Sequence, residues 1–293
     1  MSDFSVRFWG VRGSIGASGP EFATVGGHTS CVEIRAGGQI ILLDAGTGLF
    51  PLSCTLPKPV NATIFVSHFH WDHIQGFPLF HPAYVAGNSF TLYGPGDGPD
   101  GLEACLRRQM QPPHFPVALD ALGAELSFRT IRSGDQVRLG DVTVRAAALH
   151  HPQGCFGYSI RSQGRRVVYA TDTEQLGGAL DPTLVEFARN ADLFICDAQY
   201  SDEEYRGSVG PCRRGWGHST VSEASRVARA AGVGRLVLFH HDPAHDDQRI
   251  LALLSQAREI FPNTVAACEG LVIDLAVGEH AAGVTPAPAH WAA

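Results

Sequence analysis

One short segment of this 293-residue chain constrains its fold and its chemistry more than any other. The segment Ser67–His73 reads SHFHWDH and follows directly on an apolar run that is typical of a buried strand. Because residues i and i+2 of an extended segment point to the same side, His68 and His70 are predicted to converge on one metal ion. A tight turn that starts a helix would direct Asp72 and His73 at a second ion nearby. Nitrogen and oxygen ligands at this density suit zinc, with manganese or iron as substitutes.

Three further groups of histidines follow along the chain, at His150/His151, His218 and His240/His241. Adjacent strand residues point to opposite faces, so only one histidine of each adjacent pair can reach a common cleft. His151 precedes a proline and is therefore held extended, which by itself does not decide between His150 and His151. The choice between the last two histidines stays open on this argument.

Composition sets the class of protein. Hydrophobic residues make up 44% and charged residues 17%, which provides a sizeable core and excludes a largely disordered chain. The 22 basic and 29 acidic side chains give a net charge of −7, which argues against a long nucleic acid as partner but allows a small anion. The seven cysteines form no C-x-x-C pair, so we expect them to be reduced. We find neither a secretory signal nor an apolar stretch of about 18 residues, so we expect a cytoplasmic protein without membrane contact.

Short apolar runs alternate with helical signals and Gly/Pro turns, which predicts an α/β fold. We expect one domain over residues 1–276, a loose tail over 277–293, and a proline- and aromatic-rich lid or insertion at 78–116. The predicted strands are Phe4–Trp9, Cys31–Arg35, Gln39–Leu43, Ala62–Ser67, Phe90–Tyr93, Asp141–Leu149, Phe156–Arg161, Arg166–Thr171, Asp192–Asp197, Arg235–Phe239 and Leu271–Leu275. The predicted helices are Leu102–Met110, Asp181–Asn190, the segment after the capping box of Thr220 and Glu223, and Asp247–Ile260.

The order of these motifs resembles the metallo-β-lactamase superfamily over nearly the full length of the chain. The H-x-H-x-D-H run at 68–73 matches the superfamily signature. Segments that look like those of the third histidine, the bridging aspartate and the last histidine are Leu149–Pro152, Ala170–Thr173 and Leu238–His241. The resemblance implies a four-layer αββα sandwich that binds two divalent metal ions. It assigns His68, His70 and His151 to one ion, Asp72, His73 and His240 to the other, and Asp172 as the bridge between them.

The segment Gly217–Thr220 resembles the H-S-T motif of the phosphodiesterase branch, which includes tRNA 3′-processing endonucleases and cyclic nucleotide phosphodiesterases. The resemblance implies that His218 donates a proton to the leaving alkoxide and that Asp197 orients it. With Asp72, these residues form the implied catalytic set. Two metal ions lower the pKa of water toward about 7, so a metal-bound hydroxide would attack the phosphorus.

Two features direct the substrate prediction. The tRNA-processing enzymes carry a long flexible arm between the third histidine and the bridging aspartate, and here only twenty residues separate His151 from Asp172. Together with the negative net charge, this favours a small phosphodiester, above all a 3′,5′-cyclic nucleotide. The predicted substrate contacts are Arg12 on the phosphate, with Phe69 and Phe115 as aromatic faces for a base.

Alternatives stay open at two points. The other rings near the predicted lid are equally consistent with a stacking face or with the core, and they are Phe77, Phe80, Tyr84 and Phe90. The main alternative function is a carboxylic ester, lactone or thioester hydrolase that uses the same metals, and tRNA 3′-end cleavage and a non-catalytic binding module are the others. The resemblance also implies a homodimer.

Overall fold

A computed structural model of the protein describes residues 4–175 and 179–276. The described residues form two compact units. The first unit is built from the described residues within 1–11, 28–131 and 268–293, and the second from those within 12–27 and 132–267. Each unit contains one seven-stranded mixed sheet with helices, so the predicted α/β class is confirmed. The tail expected over 277–293 lies outside the described residues, and the single domain over 1–276 stays a prediction.

Fourteen strands and seven α-helices occur in the described residues. The strands are β1 (Phe4–Gly10), β2 (Cys31–Ala36), β3 (Gln39–Leu43), β4 (Asn61–Phe65), β5 (Ser89–Gly94), β6 (Glu125–Thr130), β7 (Gln136–Leu139), β8 (Val142–Leu149), β9 (Cys155–Ser162), β10 (Arg165–Ala170), β11 (Leu193–Asp197), β12 (Arg235–Phe239), β13 (Thr264–Ala266) and β14 (Val272–Asp274). The helices are α1 (Leu49–Ser53), α2 (Trp71–Ile74), α3 (Leu102–Gln109), α4 (Pro182–Ala188), α5 (Asp202–Arg206), α6 (Val221–Ala231) and α7 (Asp247–Ile260). None of these helices combines the length and the apolarity that a bilayer span requires.

The sheet of the first unit has the order β14-β1-β2-β3-β4-β5-β6. Its first strands pair antiparallel, whereas β3, β4, β5 and β6 run parallel. Parallel strands are covered on both faces and therefore read as continuous apolar runs, and β4 is buried from Ala62 to Phe65. Because parallel strands end at the same edge of a sheet, the residues that follow β3 and β4 emerge side by side.

The sheet of the second unit has the order β13-β12-β11-β10-β9-β8-β7. The strands from β10 to β13 run parallel, and those from β7 to β10 alternate in direction. Two reversals bring β8 into the same direction as β10, so β8, β10, β11 and β12 all end at one edge. This edge collects the polar residues that sequence analysis had located at strand ends.

Helix signals in the sequence were reliable. The Asp181 carboxylate accepts the backbone N–H of Thr183 at 2.8 Å and caps α4. Thr220 and Glu223 form the predicted capping box of α6, and Gly232 ends that helix in the left-handed conformation. The bounds of α7 are those predicted. Local capping chemistry therefore fixed these helix ends.

Three strands were missed, namely β6, β7 and β13. The first two carry only exposed and half-buried residues without a fully buried position, and the third has only three residues. Periodicity is a weak signal in such segments. The segment 78–116 contains β5, which pairs with β4 and β6, and the rings of Phe77, Phe80 and Phe90 are buried in the core. These three rings therefore have no exposed face on which a base could stack.

Candidate metal centre

In the first unit, the H-x-H-x-D-H motif lies where β4 has ended and α2 begins. His70 is the extended N-cap residue of α2, so Asp72 and His73 fall within its first turn. Nε2 of His73 lies 3.2 Å from Oδ2 of Asp72. The ring of His68 lies 4.4 Å from that of His70 and 4.3 Å from that of His73, between centroids. The motif thus gathers four candidate ligands in one place, of which only His70 is more than slightly exposed.

Asp44, directly after β3, holds this loop from the neighbouring strand. Its Oδ1 accepts the backbone N–H of Ser67 at 2.7 Å, and its Oδ2 accepts the Ser67 hydroxyl at 2.9 Å. The same Oδ2 lies 2.8 Å from Nδ1 of His73, so the protonated Nδ1 donates to it and Nε2 faces Asp72. The role of Asp44 was not evident in the sequence, where its only signal was an acidic residue directly after an apolar strand.

In the second unit, the shared strand edge brings four candidate residues together. His151 follows β8, Asp172 follows β10, Asp197 ends β11 and His240 follows β12. Asp172, Asp197, His240 and His218 each offer a ligand atom, and these atoms lie within 4.8 Å of one another. All of these side chains are buried. Carboxylates at this depth need a cationic partner, since desolvation of an unpaired charge costs several kcal/mol.

The histidine rings of the second unit are oriented by oxygen acceptors behind them. Nδ1 of His151 donates to the carbonyl oxygen of Gly217 at 2.9 Å, and Nδ1 of His240 donates to Oε1 of Gln199 at 3.1 Å. Their Nε2 atoms face Asp172, at 3.8 Å from Oδ2 and 3.2 Å from Oδ1, respectively. The first distance is longer than a hydrogen bond. Neutral imidazoles held through Nδ1, with Nε2 facing carboxylate oxygens, are the donor set of a divalent metal, so these residues fit one.

The backbone is left-handed at three of these positions. Asp44, Asp172 and His240 have φ angles of 61°, 52° and 61°, respectively, each just after a strand has ended. Such a conformation costs about 1–3 kcal/mol in a residue other than glycine, and it concentrates at functional sites. Gly13 is required for a steric reason, because a Cβ atom there would lie 2.4 Å from the ring of His240.

His218 forms a buried pair with Asp197. Its Nδ1 lies 2.8 Å from Oδ2 of Asp197, and the same oxygen accepts the backbone N–H of Thr173 at 3.1 Å. The His218 ring stacks on that of His240, with centroids 5.0 Å apart and an angle of 21° between planes. The carboxylate therefore fixes the tautomer of His218 and leaves Nε2 as the atom that can give up a proton.

The two remaining histidines of the adjacent pairs lie elsewhere. His150 is exposed. His241 is buried and donates through Nε2 to the carbonyl oxygen of Ala267 at 3.0 Å. Burial, together with the positive charge of Arg12, lowers the pKa of His241 to about 3. A histidine that is neutral and bonded to a carbonyl in this way supports the strand end structurally.

Arg12 lies in the interior of the second unit. Its side chain is fully buried, and Nε donates to the carbonyl oxygen of Gly26 at 2.7 Å. One terminal nitrogen donates to the carbonyl oxygens of His245 and Asp242 at 2.6 and 3.2 Å, respectively. The guanidinium therefore fixes the loop after β12 and has no exposed surface for the phosphate contact that we had expected.

Phe69 and Phe115 line one pocket of about 520 Å³ within the first unit. Arg108, Trp71 and His114 also line this pocket, and Trp71 is 79% exposed. Aromatic and cationic groups therefore share this wall.

A second pocket, of about 350 Å³, lies beside His218 in the second unit and was missed in the sequence. Its wall includes Tyr200, Arg213 and Trp216. The Arg213 guanidinium lies 4.8 Å from the centroid of the Tyr200 ring and 5.9 Å from that of Trp216. These residues come from the irregular stretch before the H-S-T motif, where no periodic pattern could have identified them.

Two bacterial ribonucleases Z are similar to this chain in sequence. The enzyme of Treponema pallidum is 25% identical over 86% of this chain and 93% of its own length. That of Gemmatimonas aurantiaca is 27% identical over 94% and 98%, respectively. These matches confirm the resemblance to the phosphodiesterase branch. They also contradict the expectation that no long nucleic acid is a partner, because these relatives are ribonucleases; net charge sums over a whole chain, whereas a polyanion binds to one local surface.

Two solved structures share the fold. The metallo-beta-lactamase fold protein YhfI of Bacillus subtilis has a TM-score of 0.69 at 20% identity and covers 93% of this chain and 99% of its own. Human tRNase Z, short form, has a TM-score of 0.67 at 22% identity over 93% and 100%, respectively. The predicted α/β sandwich of the metallo-β-lactamase type is thereby confirmed.

The sequence model of the beta-lactamase superfamily domain matches residues 39–241, which is more than half of the chain. The match includes the H-x-H-x-D-H motif and every later candidate ligand. With the ligand chemistry of both units, it identifies the class of protein. The chain belongs to the beta-lactamase superfamily and is a metal-dependent hydrolase.

Proposed function

We propose that the chain is a dinuclear-metal phosphodiesterase that cleaves a phosphodiester of RNA, with His218 as the proton donor. The observation that carries this proposal is the buried His218–Asp197 pair, whose ligand-type atoms lie within 4.8 Å of those of Asp172 and His240. Hydrolysis of an alkyl phosphodiester needs both a nucleophile and an acid for the leaving alkoxide, and this cluster supplies a separate group for the second role. The similarity to ribonucleases Z supports RNA as the substrate.

Family membership supports the ligand assignment. We propose that His68, His70 and His151 hold one ion, that Asp72, His73 and His240 hold the other, and that Asp172 is shared. Zinc is our proposed metal, because imidazole nitrogens and carboxylate oxygens are its usual ligands. When bound, two such ions lower the pKa of water and offset the charge that develops on the phosphate oxygens.

The chain's own residues then have defined tasks. Asp197 keeps Nδ1 of His218 protonated and stabilises the imidazolium, so that Nε2 carries the proton that the leaving oxygen needs. Asp44 and Gln199 hold the rings of His73 and His240 through Nδ1, which keeps each Nε2 available as a ligand. Burial of this cluster excludes bulk water and strengthens each of these interactions.

We propose the aromatic pocket of the first unit as the place where a base stacks. Phe69 follows His68 directly, and Phe115 lies in the same wall. The nearby Arg108 offers a positive charge to a phosphate or to a ring face. Arg12, which is buried, has no part in this proposal.

A 3′,5′-cyclic nucleotide is the second candidate substrate, and one observation favours it. Strands β9 and β10, joined by a short turn at Gln163 and Gly164, fill the interval between His151 and Asp172 in which tRNA-processing enzymes carry a long arm. The pocket of about 350 Å³ beside His218 would accommodate a small ligand. The cytoplasmic location and the homodimer expected from the sequence stay predictions.

One substrate panel tests these proposals. Zinc-loaded protein is assayed against a pre-tRNA, 3′,5′-cyclic AMP, bis-p-nitrophenyl phosphate and an acyl-homoserine lactone. We expect cleavage of the pre-tRNA and of bis-p-nitrophenyl phosphate. Turnover of the cyclic nucleotide without pre-tRNA cleavage would establish the second candidate instead. Turnover of the lactone alone would show a carboxylic ester type of hydrolase and end the phosphodiesterase proposal.

A further inference from the structure

A groove of about 800 Å³ in the second unit lies away from the candidate ligands. One wall comes from strands β8, β9 and β10, and the other from α4 and the residues after it. Four arginines line this groove, namely Arg145, Arg161, Arg166 and Arg189. Two acidic side chains, Glu186 and Asp192, are also present.

Sheet register explains why three of these arginines share a face. Arg166 on β10 pairs directly with Arg161 on β9. Arg145 on β8 pairs with Ser159, two residues from Arg161 and therefore on the same side of β9. Adjacent strands lie about 4.8 Å apart, so the three guanidinium groups rise from neighbouring positions on one surface.

The acidic groups of the groove are already engaged. Glu186 accepts from Nε of Arg189 at 2.7 Å, and Asp192 accepts from a terminal nitrogen of Arg165 and from the backbone N–H of Arg166, each at 2.7 Å. Among residues 4–175 and 179–276, no ion pair involves Arg145 or Arg161, and both are exposed.

The arginines of the groove also repel one another. Burial and the positive charge of Arg161 lower the pKa of Arg166. A guanidinium stays protonated throughout the physiological range, so this repulsion persists at any working pH. A bound anion would relieve it, and guanidinium groups are well suited to phosphate oxygens.

The position of the groove distinguishes between kinds of anion. Arg166 stands near the start of β10, and Asp172 follows its end six residues later, which is about 20 Å along an extended chain. A cyclic mononucleotide bound at Asp172 cannot reach that far. A longer RNA carries phosphates along its whole backbone, so one molecule can contact the groove while another of its phosphodiesters lies at Asp172.

We propose that this groove, through Arg145, Arg161 and Arg166, binds the phosphate backbone of an RNA substrate at a distance from the bond that is cleaved. The inference rests on the proposed function and adds to it a site for the non-reacting part of the substrate. The net charge of −7 gives the chain as a whole a repulsion toward RNA. A local basic groove overcomes this and fixes where the RNA lies.

The test compares two double variants of the zinc-loaded enzyme that each remove two positive charges. Arg145→Gln/Arg161→Gln changes the groove, and the matched control is Arg129→Gln/Arg229→Gln, which replaces exposed arginines on β6 and α6. Binding of fluorescently labelled mature tRNA is measured by anisotropy between about 50 and 200 mM salt. Hydrolysis of bis-p-nitrophenyl phosphate is measured in parallel.

We expect the groove variant to bind tRNA about tenfold more weakly at low salt. Its plot of log Kd against log salt should lose about one unit of slope per arginine removed. Hydrolysis of the small substrate should change less than twofold in both variants.

Three outcomes would overturn the groove assignment. One is a groove variant that binds tRNA with the same Kd and salt slope as the control, and another is a wild-type enzyme that hydrolyses bis-p-nitrophenyl phosphate without binding tRNA. The third is a groove variant in which inhibition by millimolar inorganic phosphate changes but tRNA binding does not. That result would assign the groove to a small anion. Normal tRNA binding without hydrolysis of any phosphodiester would instead contradict the proposed function and leave the groove supported.

Discussion

Nδ1 of His218 lies 2.8 Å from Oδ2 of Asp197, and both side chains are buried beside Asp172 and His240. The carboxylate also accepts the backbone N–H groups of Thr173 and Gln199, each at 3.1 Å, so its position is fixed independently of His218. A fixed carboxylate on one ring nitrogen makes the other nitrogen a directed proton donor. The contribution of this pair to the rate of hydrolysis therefore depends on how strongly the leaving group of the substrate needs a proton.

The first prediction concerns His218→Ala. We expect kcat for an alkyl phosphodiester such as pre-tRNA to fall by about 10²-fold or more, since the alkoxide would leave without a proton. Hydrolysis of bis-p-nitrophenyl phosphate should fall much less, because p-nitrophenolate leaves without protonation. Asp197→Asn should show the same selectivity. Equal losses on both substrates would indicate that His218 acts as a ligand or structural residue.

The second prediction concerns Asp44→Asn. An amide NH₂ opposite Nδ1 of His73 would favour the tautomer with the proton on Nε2, and a protonated Nε2 cannot bind a metal. We expect zinc affinity, measured by competition with a chromogenic chelator, to fall about 10–100-fold. The control is Glu33→Gln, which removes another buried carboxylate of the first unit, one that accepts from Trp9 and Arg35. If both variants bind zinc like the wild type, Asp44 has no role in holding the metal.

The third prediction concerns Gly13→Ala. The new Cβ atom would lie 2.4 Å from the ring of His240, and one of the two must move. We expect at least about a tenfold loss of zinc affinity, as for other changes that reorient a ligand. Gly101→Ala, whose Cβ would meet no atom closer than 3.2 Å, is the control. Unchanged zinc binding in Gly13→Ala would mean that His240 is not required at its present position.

The fourth prediction concerns Glu204 and the pH dependence of folding. Burial alone would raise the pKa of Glu204, but hydrogen bonds from His245 and the Ser201 backbone outweigh it and lower this pKa to about 2. Its ordinary value is 4.5. A depressed carboxylate pKa contributes stability that is present above about pH 4.5 and is lost as the pH falls toward 2.

Urea unfolding of Glu204→Gln tests this prediction. At pH 7 we expect the variant to be less stable than the wild type by up to about 3 kcal/mol, an upper limit set by the pKa shift. The difference should shrink steadily as the pH is lowered below 4.5. Glu203→Gln, at the exposed neighbouring position, should match the wild type throughout. A constant difference at all pH values would show that Glu204 acts through packing rather than through its charge.

Sequence reasoning succeeded where the determinants are local. The SHFHWDH segment, the capping box of α6, the strand before Asp172 and the strand that ends at Asp197 are each defined by neighbours along the chain. The acceptors that orient the histidines are not, because Asp44, Gln199 and Gly217 each contact a histidine that is distant along the chain but belongs to the same unit. Only tertiary structure reveals such partners.

The location of charged side chains was also not predictable from the sequence, as Arg12 and the arginine groove show. A lone arginine after a strand predicts a phosphate contact, yet the guanidinium of Arg12 donates to three carbonyl oxygens in the interior. The summed charge of −7 reads like an argument against RNA, yet the register of β8, β9 and β10 concentrates positive charge on one face. Neither sign nor count tells where a charge lies.

The left-handed backbone at Asp172 and His240 means that the proposed metal site lowers the stability of the fold. Both residues adopt positive φ angles, at an expected cost of about 1–3 kcal/mol each. A glycine at either position would relieve the strain and remove a proposed metal ligand at the same time. Selection for thermal stability alone would therefore favour inactive variants. Directed evolution of this chain must measure turnover together with the melting temperature.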